Sequence, residues 1–313
     1  MKNIKNYIIL TALVLLSAKG IAQQNPAFTQ YMYNMSVINP GYATENLGVV
    51  NIGGLYRTQW VGIEGAPETA TFFAHTPLSE RVEMGISIVH DEIGNIVQEN
   101  NIFADFAYVL PVSETTKISF GVKAGFTLFD ANLTNLQVGS GDSSTDVAFN
   151  ENINEAFPNV GVGAFLFGEK YYVGLSAPNL LNSKHLETED GTVALGAEEI
   201  HFYFTGGYVF DLNEEFKLKP AFMLRGVPNS PLSVDITANV LFNDKFEAGI
   251  GYRLEDSFSG LVNFAVLPEL RIGYAYDYNY AALGEYSSGS HEIMLLFDLN
   301  ILSAKYDKSP RFF

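Results

Sequence analysis

Three places in the sequence bring together side chains that could do chemistry. His90, Asp91 and Glu92 are consecutive, an acid–imidazole group of the kind used in proton transfer. The run GSGDSSTD at 139–146 offers Asp142, Asp146 and several hydroxyls, all hard oxygen ligands for a cation such as calcium. Arg225, Asp235 and Arg253 place charge among apolar neighbours. None of the three carries the rest of a site. No nucleophile elbow accompanies His90, and the 5 histidines are scattered. The 139–146 run lacks the spacing of an EF-hand loop. There are 0 cysteines, so thiolate ligands, cysteine nucleophiles, disulfides and an N-terminal lipid-bearing cysteine are all excluded. The plain readings are a solvated strand end, a solvated loop tip and charge pairing inside a folded wall. The sequence predicts no enzyme, metal or cofactor.

The elements that must position these residues obey one rule. Leu232, Val234, Ile236, Ala238, Val240 and Phe242 alternate with Ser233, Asp235, Thr237 and Asn239. Ile118, Phe120, Val122, Ala124, Phe126 and Leu128 alternate with Lys117, Ser119, Gly121, Lys123, Gly125 and Thr127. Phe246 to Glu255 and Phe216 to Arg225 repeat the pattern, with Pro220 an awkward member because it cannot donate to a ladder. Period two over about ten residues is the length of a tilted strand crossing a membrane. About fourteen such runs are readable, near 48–60, 69–78, 81–91, 98–111, 116–131, 157–168, 170–181, 199–212, 216–227, 231–243, 245–255, 257–267, 270–283 and 290–301. Tight polar turns join every other pair, and the intervening connections are more often long. Short turns at one end and long loops at the other mark a transmembrane antiparallel up-and-down β-barrel of all-β class. A soluble β-sandwich shares the period. It does not share the aromatic density on the apolar face, the glycine and charge on the other, or the unequal loops.

One strand poses a problem. In LRIGYAYDYNYAAL at 270–283, Tyr274, Tyr276, Tyr278 and Tyr280 all fall on one face. An amphipathic phenol suits the headgroup boundary of a membrane. Four in a row cannot all lie there, and Tyr274 and Tyr276 must sit deeper.

Charged residues are only 17% of the chain and aromatics 13%. Residues 1–22 read as a secretory signal peptide: Lys2 and Lys5, an apolar run from Tyr7 to Leu16, and Gly20-Ile21-Ala22 before a cut at Gln23. Its removal takes three lysines and no acid. That leaves 15 basic against 35 acidic side chains, a net −20, which disfavours nucleic acid and anionic membrane surfaces as partners. Residues 23–47 are expected to plug the barrel or to lie on its periplasmic side. A short amphipathic helix is expected there, with Phe28, Tyr31, Met32 and Met35 on one face. The barrel itself is expected over 48–301. The tail 302–313 is expected to leave the sheet on the periplasmic side, since Pro310 cannot extend a ladder.

Several stretches together resemble one family. They are QYMYNMSVINPGYA (30–43), YRTQWVGIEGAPET (56–69), the His-Asp-Glu-Ile-Gly run at 90–94, SHEIMLLFDL (290–299) and the ending SPRFF (309–313). The chain is similar over its whole mature length to the PorP/SprF proteins, outer-membrane components of the type IX secretion system of Bacteroidetes. The family's Asn-Pro-Ala-Tyr appears here as Asn39-Pro40-Gly41-Tyr42, a mild departure. The resemblance implies an integral outer-membrane barrel without enzymatic activity. It acts with periplasmic components of the machine, in secretion or gliding, or in exporting or anchoring a large secreted adhesin. Arg57, Gln59, Trp60 and Pro67 of the most specific block, and Arg311, Phe312 and Phe313 of the ending, are the expected partner contacts. The competing reading is a porin or small-solute transporter.

Overall fold

The computed structural model describes residues 26–44, 46–94, 96–135, 152–181, 199–228 and 230–301. Residues 1–22, the 139–146 run with Asp142 and Asp146, and the tail with Arg311, Phe312 and Phe313 lie outside them.

Fourteen strands succeed one another around a single antiparallel sheet. They are β1 (Val49–Thr58), β2 (Glu68–Ser79), β3 (Val82–Ile93), β4 (Val97–Pro111), β5 (Thr116–Ala131), β6 (Ile153–Gly168) and β7 (Tyr171–Ala177). Then come β8 (Phe202–Tyr208, continued by Phe210–Asp211), β9 (Phe216–Gly226), β10 (Ser233–Phe242), β11 (Phe246–Arg253), β12 (Ser257–Leu267), β13 (Leu270–Asn279) and β14 (Ser290–Asn300). The last strand pairs with the first, from Val49↔Asn300 to Thr58↔His291, so the sheet is a closed barrel with no free edge at its seam. No helix among the described residues is long and apolar enough to cross a membrane; crossing falls to the strands.

The alternation explains why the barrel closes in this sense. Ile86, Ile88, Phe106, Phe120, Phe126, Leu175, Phe204, Ile236, Ile250, Val262, Ile293 and Leu295 are large, apolar and exposed. Between them, Asn51, Thr71, Ser119, Lys123, Thr205, Thr237, Asn239, Glu247, Asp277 and Glu292 are buried. A soluble protein has the reverse arrangement. Apolar surface facing out and polar groups hydrogen-bonded within is the solution lipid imposes.

Pro220 sits in β9 opposite the one interruption in β8. The ladder between them runs Ala221↔Gly207 and resumes at Leu218↔Phe210. The missing rungs are those of Pro220 and Lys219, where the proline has no N–H to give. On its other side β8 stays paired, and the Val209 N–H donates to the Lys170 carbonyl beside β7 at 2.7 Å.

Tyr274, Tyr276 and Tyr278 of β13 and Tyr280 just after it face outward, as expected, and Tyr274, Tyr278 and Tyr280 are exposed. The deeper ones send their hydroxyls toward the long-loop rim. Tyr274 bonds His291 Nδ1 at 2.6 Å, and Tyr276 donates to the Ser288 carbonyl at 2.9 Å. Tyr280 meets the Tyr252 hydroxyl at 3.2 Å. Tyr274 and Tyr276 thus lay their rings along the apolar wall and find a partner nearer the rim. At the short-turn rim, Phe216 with Phe242 and Tyr208 with Phe210 form a second aromatic belt, at centroid separations of 4.8 and 4.5 Å.

Two expectations are corrected. β6 starts at Ile153 rather than 157, and β7 ends at Ala177 rather than 181. The N-terminal amphipathic helix does not form. Tyr31–Tyr33 is one 3-10 turn and Met35–Ile38 one α turn. An amphipathic helix needs a water-facing side, and this segment has none: Phe28, Thr29, Gln30, Tyr31, Tyr33, Asn34, Met35, Ile38, Asn39 and Ala43 are all buried inside the barrel.

Candidate functional site

The candidate site is the lumen and the long-loop rim above it. Residues 26–44 run through the lumen, and carboxylates on the wall hold them. Glu292, on β14, accepts the backbone N–H groups of Thr29 (2.9 Å) and Gln30 (2.8 Å). Asp277, across the ladder on β13, accepts the Thr29 hydroxyl at 2.7 Å. Arg57, on β1, closes the group: Nη2 to Asp277 at 2.7 Å, Nη1 to Glu292 at 3.3 Å, and Nη1 to Thr29 Oγ1 at 2.9 Å.

Two more acids repeat the device near the short-turn end. Glu247, beside the start of β11, takes the Tyr33 hydroxyl, Lys219 Nζ at 3.0 Å and Asn239 Nδ2 at 2.7 Å. Glu83, near the start of β3, takes the Thr44 N–H (3.1 Å) and hydroxyl (3.0 Å). Hydrogen bonds to charged groups each contribute about 1.5–3 kcal/mol, and more is lost when one partner is removed from a dry interior.

Between these anchors the segment is fitted to the wall by shape. Lys123 Nζ donates to the Val37 carbonyl at 2.9 Å, and the Ser176 hydroxyl to that of Ile38 at 2.9 Å. Asn39 Nδ2 reaches the Ala164 carbonyl at 3.1 Å, and its Oδ1 accepts Gly41 N–H at 2.8 Å. The Asn39-Pro40 corner lies directly on glycines. A Cβ at Gly163 would stand 2.1 Å from Asn39 Oδ1, and one at Gly121 would stand 2.0 Å from the Pro40 carbonyl. A Cβ on Gly41 itself would meet the Gly163 carbonyl at 3.0 Å, tight but adjustable. The glycine that departs from the family's Asn-Pro-Ala-Tyr therefore sits where an alanine needs only a small shift. The void between Phe28, Val37, Phe103, Lys123 and Met223 measures about 70 Å³, space for a few waters.

The expected contacts from the 56–69 block divide. Arg57 points inward, is 2% exposed and is paired with the chain's own carboxylates; it is an internal anchor, not a surface contact. Gln59, Trp60 and Pro67 stand at the rim, part exposed. Trp60 holds a left-handed φ of 44°, fixed by its N–H on Ser290 Oγ at 3.1 Å. Val61 is bonded twice to the β13–β14 loop, its N–H donating to the Gly289 carbonyl at 2.8 Å and its carbonyl accepting the Ser288 N–H at 2.7 Å, and Gln59 N–H bonds the Pro67 carbonyl at 3.0 Å. The resulting rigid loop frames a cleft of about 480 Å³ with Thr58, Gln59, Ile63, Glu68, Glu92 and Gly94 among its walls.

The other residues that could do chemistry are only partly brought together: His90 Nε2 and Glu92 Oε2 share the outer face of β3 at 3.9 Å, and Asp91 does not join them. His90 and Asp91 lie on opposite faces of β3. His90 Nδ1 bonds Asn100 at 2.8 Å on the outer face, and Asp91 accepts the Thr69 hydroxyl on the inner. They cannot share a proton. Arg253 pairs with Asp235 at 2.6 Å inside the wall. Sequence reasoning does not single out Glu292, Asp277, Glu247 or Glu83. Their one signal is an acid at an inward position of an alternating run.

A closed fourteen-stranded sheet, apolar without and polar within, crossed by its own N-terminal segment, defines an integral β-barrel of the outer-membrane class. Solved structures of similar shape include the Acinetobacter baumannii outer membrane protein Omp33, 8% identical, with 80% of this chain and 97% of that one covered and a TM-score of 0.46. A Pseudomonas aeruginosa FadL homologue is 11% identical over 81% and 89% (TM-score 0.45), and the Ralstonia pickettii toluene transporter TbuX 12% over 85% and 93% (0.46). Comparison with curated proteins gives no match. Residues 20–297 match the model of the type IX secretion system membrane protein family PorP/SprF, and the chain belongs to that family.

Proposed function

We propose that this barrel serves secretion by binding polypeptide rather than by conducting solute. Its task is to support export or surface attachment of a large secreted adhesin, together with periplasmic parts of the machine. One observation carries the reading: the lumen is filled by the chain's own residues 26–44, tied to Glu292, Asp277, Glu247 and Glu83. A diffusion pore wants an open, charge-lined passage. With the lumen occupied, function falls to surfaces, and the rim loop with Gln59, Trp60 and Pro67, pinned by its hydrogen bonds to the β13–β14 loop and Ser290, is one such surface. In this reading residues 1–22 are removed, the long loops face outward and the short turns face the periplasm. The tail with Arg311, Phe312 and Phe313 then docks on a periplasmic component. The test is affinity capture of the tagged barrel from detergent extracts, with mass spectrometry of the proteins that co-purify. A large secreted protein enriched over a Trp60→Ala, Pro67→Ala control supports the proposal. Equal recovery, or none, counts against it.

A further inference from the structure

We infer that the upper edge of β6, from Ile153 to Pro158, is a docking edge to which an extended, basic segment of a partner polypeptide adds as a further strand. The inference rests on the reading that the barrel binds polypeptide, and gives that reading a place and a chemistry.

β6 is paired unequally on its two sides. Against β5 it runs its whole length, from Ile153↔Ala131 to Gly168↔Thr116. Against β7 it runs only from Val162↔Ala177 to Phe167↔Tyr172. The reason lies where β7 ends. Pro178 has no N–H to carry the ladder on, and the chain turns inward there. A Cβ on Gly161 would stand 2.2 Å from the Pro178 carbonyl oxygen, so this path exists only because Gly161 has none. Leu180 N–H still reaches the Val160 carbonyl at 2.8 Å, and Leu181 N–H then goes to Asn159 Oδ1 at 3.3 Å. Beyond Asn159, no strand among the described residues pairs with this side of β6.

The N–H and C=O of one strand residue point the same way, and those of its neighbours the opposite way. Val160 points to the β7 side, so Asn154, Ala156 and Pro158 do too. Asn154 and Ala156 each offer an N–H and a carbonyl there, and Pro158 a carbonyl. Ladder groups left open in this manner are a template for another strand. Asn154, Glu155 and Ala156 are exposed, and they stand beyond Val160 and Val162, exposed apolar side chains on the lipid face. The edge therefore projects past the apolar band of the wall, toward the long loops. Ile153 and Phe157 pack beside buried Phe129 and Leu133 on its inner side, which gives an added strand an apolar footing.

Charge selects the occupant. Asp91, Glu92, Glu99, Asp130 and Glu155 share this upper part of β3 to β6, and residues 88–101, 126–135 and 152–159 contain no lysine or arginine. Glu155 is exposed on the edge strand itself. Asp130 accepts the side-chain amides of Asn132 at 2.9 Å and Asn154 at 3.0 Å, neutral donors that leave its charge uncompensated. A second copy of this chain would set these acids against their own kind, which costs affinity. A segment carrying lysine or arginine is complementary to them.

The test uses purified full-length barrel in detergent and a fluorescein-labelled peptide of alternating lysine and valine, about eight residues long. Ala156→Pro removes one N–H from the open side of β6 and no charge, and an edge strand tolerates proline where the missing N–H faces away from the sheet. Three results are expected: saturable binding by fluorescence anisotropy, unchanged melting of Ala156→Pro on unboiled gels, and peptide binding about tenfold weaker in that variant. Backbone N-methylation of one alternate set of peptide residues should abolish binding, and methylation of the other set should leave it nearly unchanged. A peptide with glutamate in place of lysine should not bind. Absence of saturable binding, or binding indifferent to Ala156→Pro and to both methylations, overturns the inference. So does lowered stability of Ala156→Pro, which would mean that the chain itself already occupies the edge. A dimer of the unchanged barrel that Ala156→Pro abolishes would give the edge to a second copy and overturn it as well. If the peptide fails while a secreted protein is still captured on the tagged barrel, the polypeptide-binding reading stands and its contact lies elsewhere.

Discussion

Replacing Gly163 by alanine tests whether the luminal segment is fitted to the wall or merely lies within it. Gly163 faces inward on β6, and the new methyl would stand 2.1 Å from Asn39 Oδ1 and 2.9 Å from Pro40 Cδ. Neither neighbour is a free side-chain end, since Asn39 is tied to Ala164 and Gly41 and Pro40 is part of the backbone corner. Relief requires moving that corner. Overpacking of this kind costs about 1–3 kcal/mol, and loss of the two Asn39 hydrogen bonds adds about 1 kcal/mol each. The expected destabilisation is therefore about 3–5 kcal/mol, combining the overpacking and hydrogen-bond costs. It is read as a lower temperature at which the purified barrel loses its folded band on unboiled gels. Gly260→Ala is the internal control, because a methyl there meets nothing within 4 Å. Asn39→Ala removes one clashing atom, so Gly163→Ala combined with Asn39→Ala should lose less than the two single changes added together. Equal melting of Gly163→Ala and Gly260→Ala, or strict additivity in the double variant, would refute the fit.

The same contacts predict further outcomes. Arg57→Met leaves Asp277 and Glu292 without their cation and should cost about 3–5 kcal/mol in the same melting assay. Ile236→Arg puts a charge on the lipid face near mid-strand, at about 2–4 kcal/mol, and should reduce the heat-modifiable fraction in membranes, whereas Ile236→Leu should not. Asn239→Arg, which lumen-facing position alone would make harmless, should also fail to assemble, because Asn239 is 1% exposed and bonded to Glu247. Deleting Ser309 to Phe313 should leave an inserted barrel with impaired cargo export; unimpaired export would remove the docking role of the tail.

The barrel is legible in the sequence because its information is local. A period of two needs only neighbours, and turns such as Asn243-Asp244-Lys245 declare themselves within three residues. Asn243 and Asp244 indeed take left-handed φ of 50° and 55°. Pro220 reads as a ladder defect from sequence, and the defect falls in β8, where sequence has no means to place it. The luminal segment reads as a helix because Phe28, Tyr31, Met32 and Met35 happen to recur at helical spacing. Burial on every side, supplied by strands far away in the chain, overrides that periodicity. The anchors are hidden for the same reason. Glu292 meets Thr29 across 263 positions, and nothing near either residue announces the other. Arg57 stands out through the block that contains it, yet its role lies on the inner side of the wall rather than the outer. An alternating strand says that a residue faces in, but not what it meets there.

The most direct test of the central claim is solute flux through the intact protein. Purified barrel, with residues 26–44 in place, is reconstituted at known density into liposomes loaded with an impermeant polymer, and swelling is monitored in an isotonic sugar. A filled lumen predicts swelling no faster than in protein-free vesicles, beside a general porin that swells them at once. Porin-like swelling by the intact, folded barrel would contradict the account.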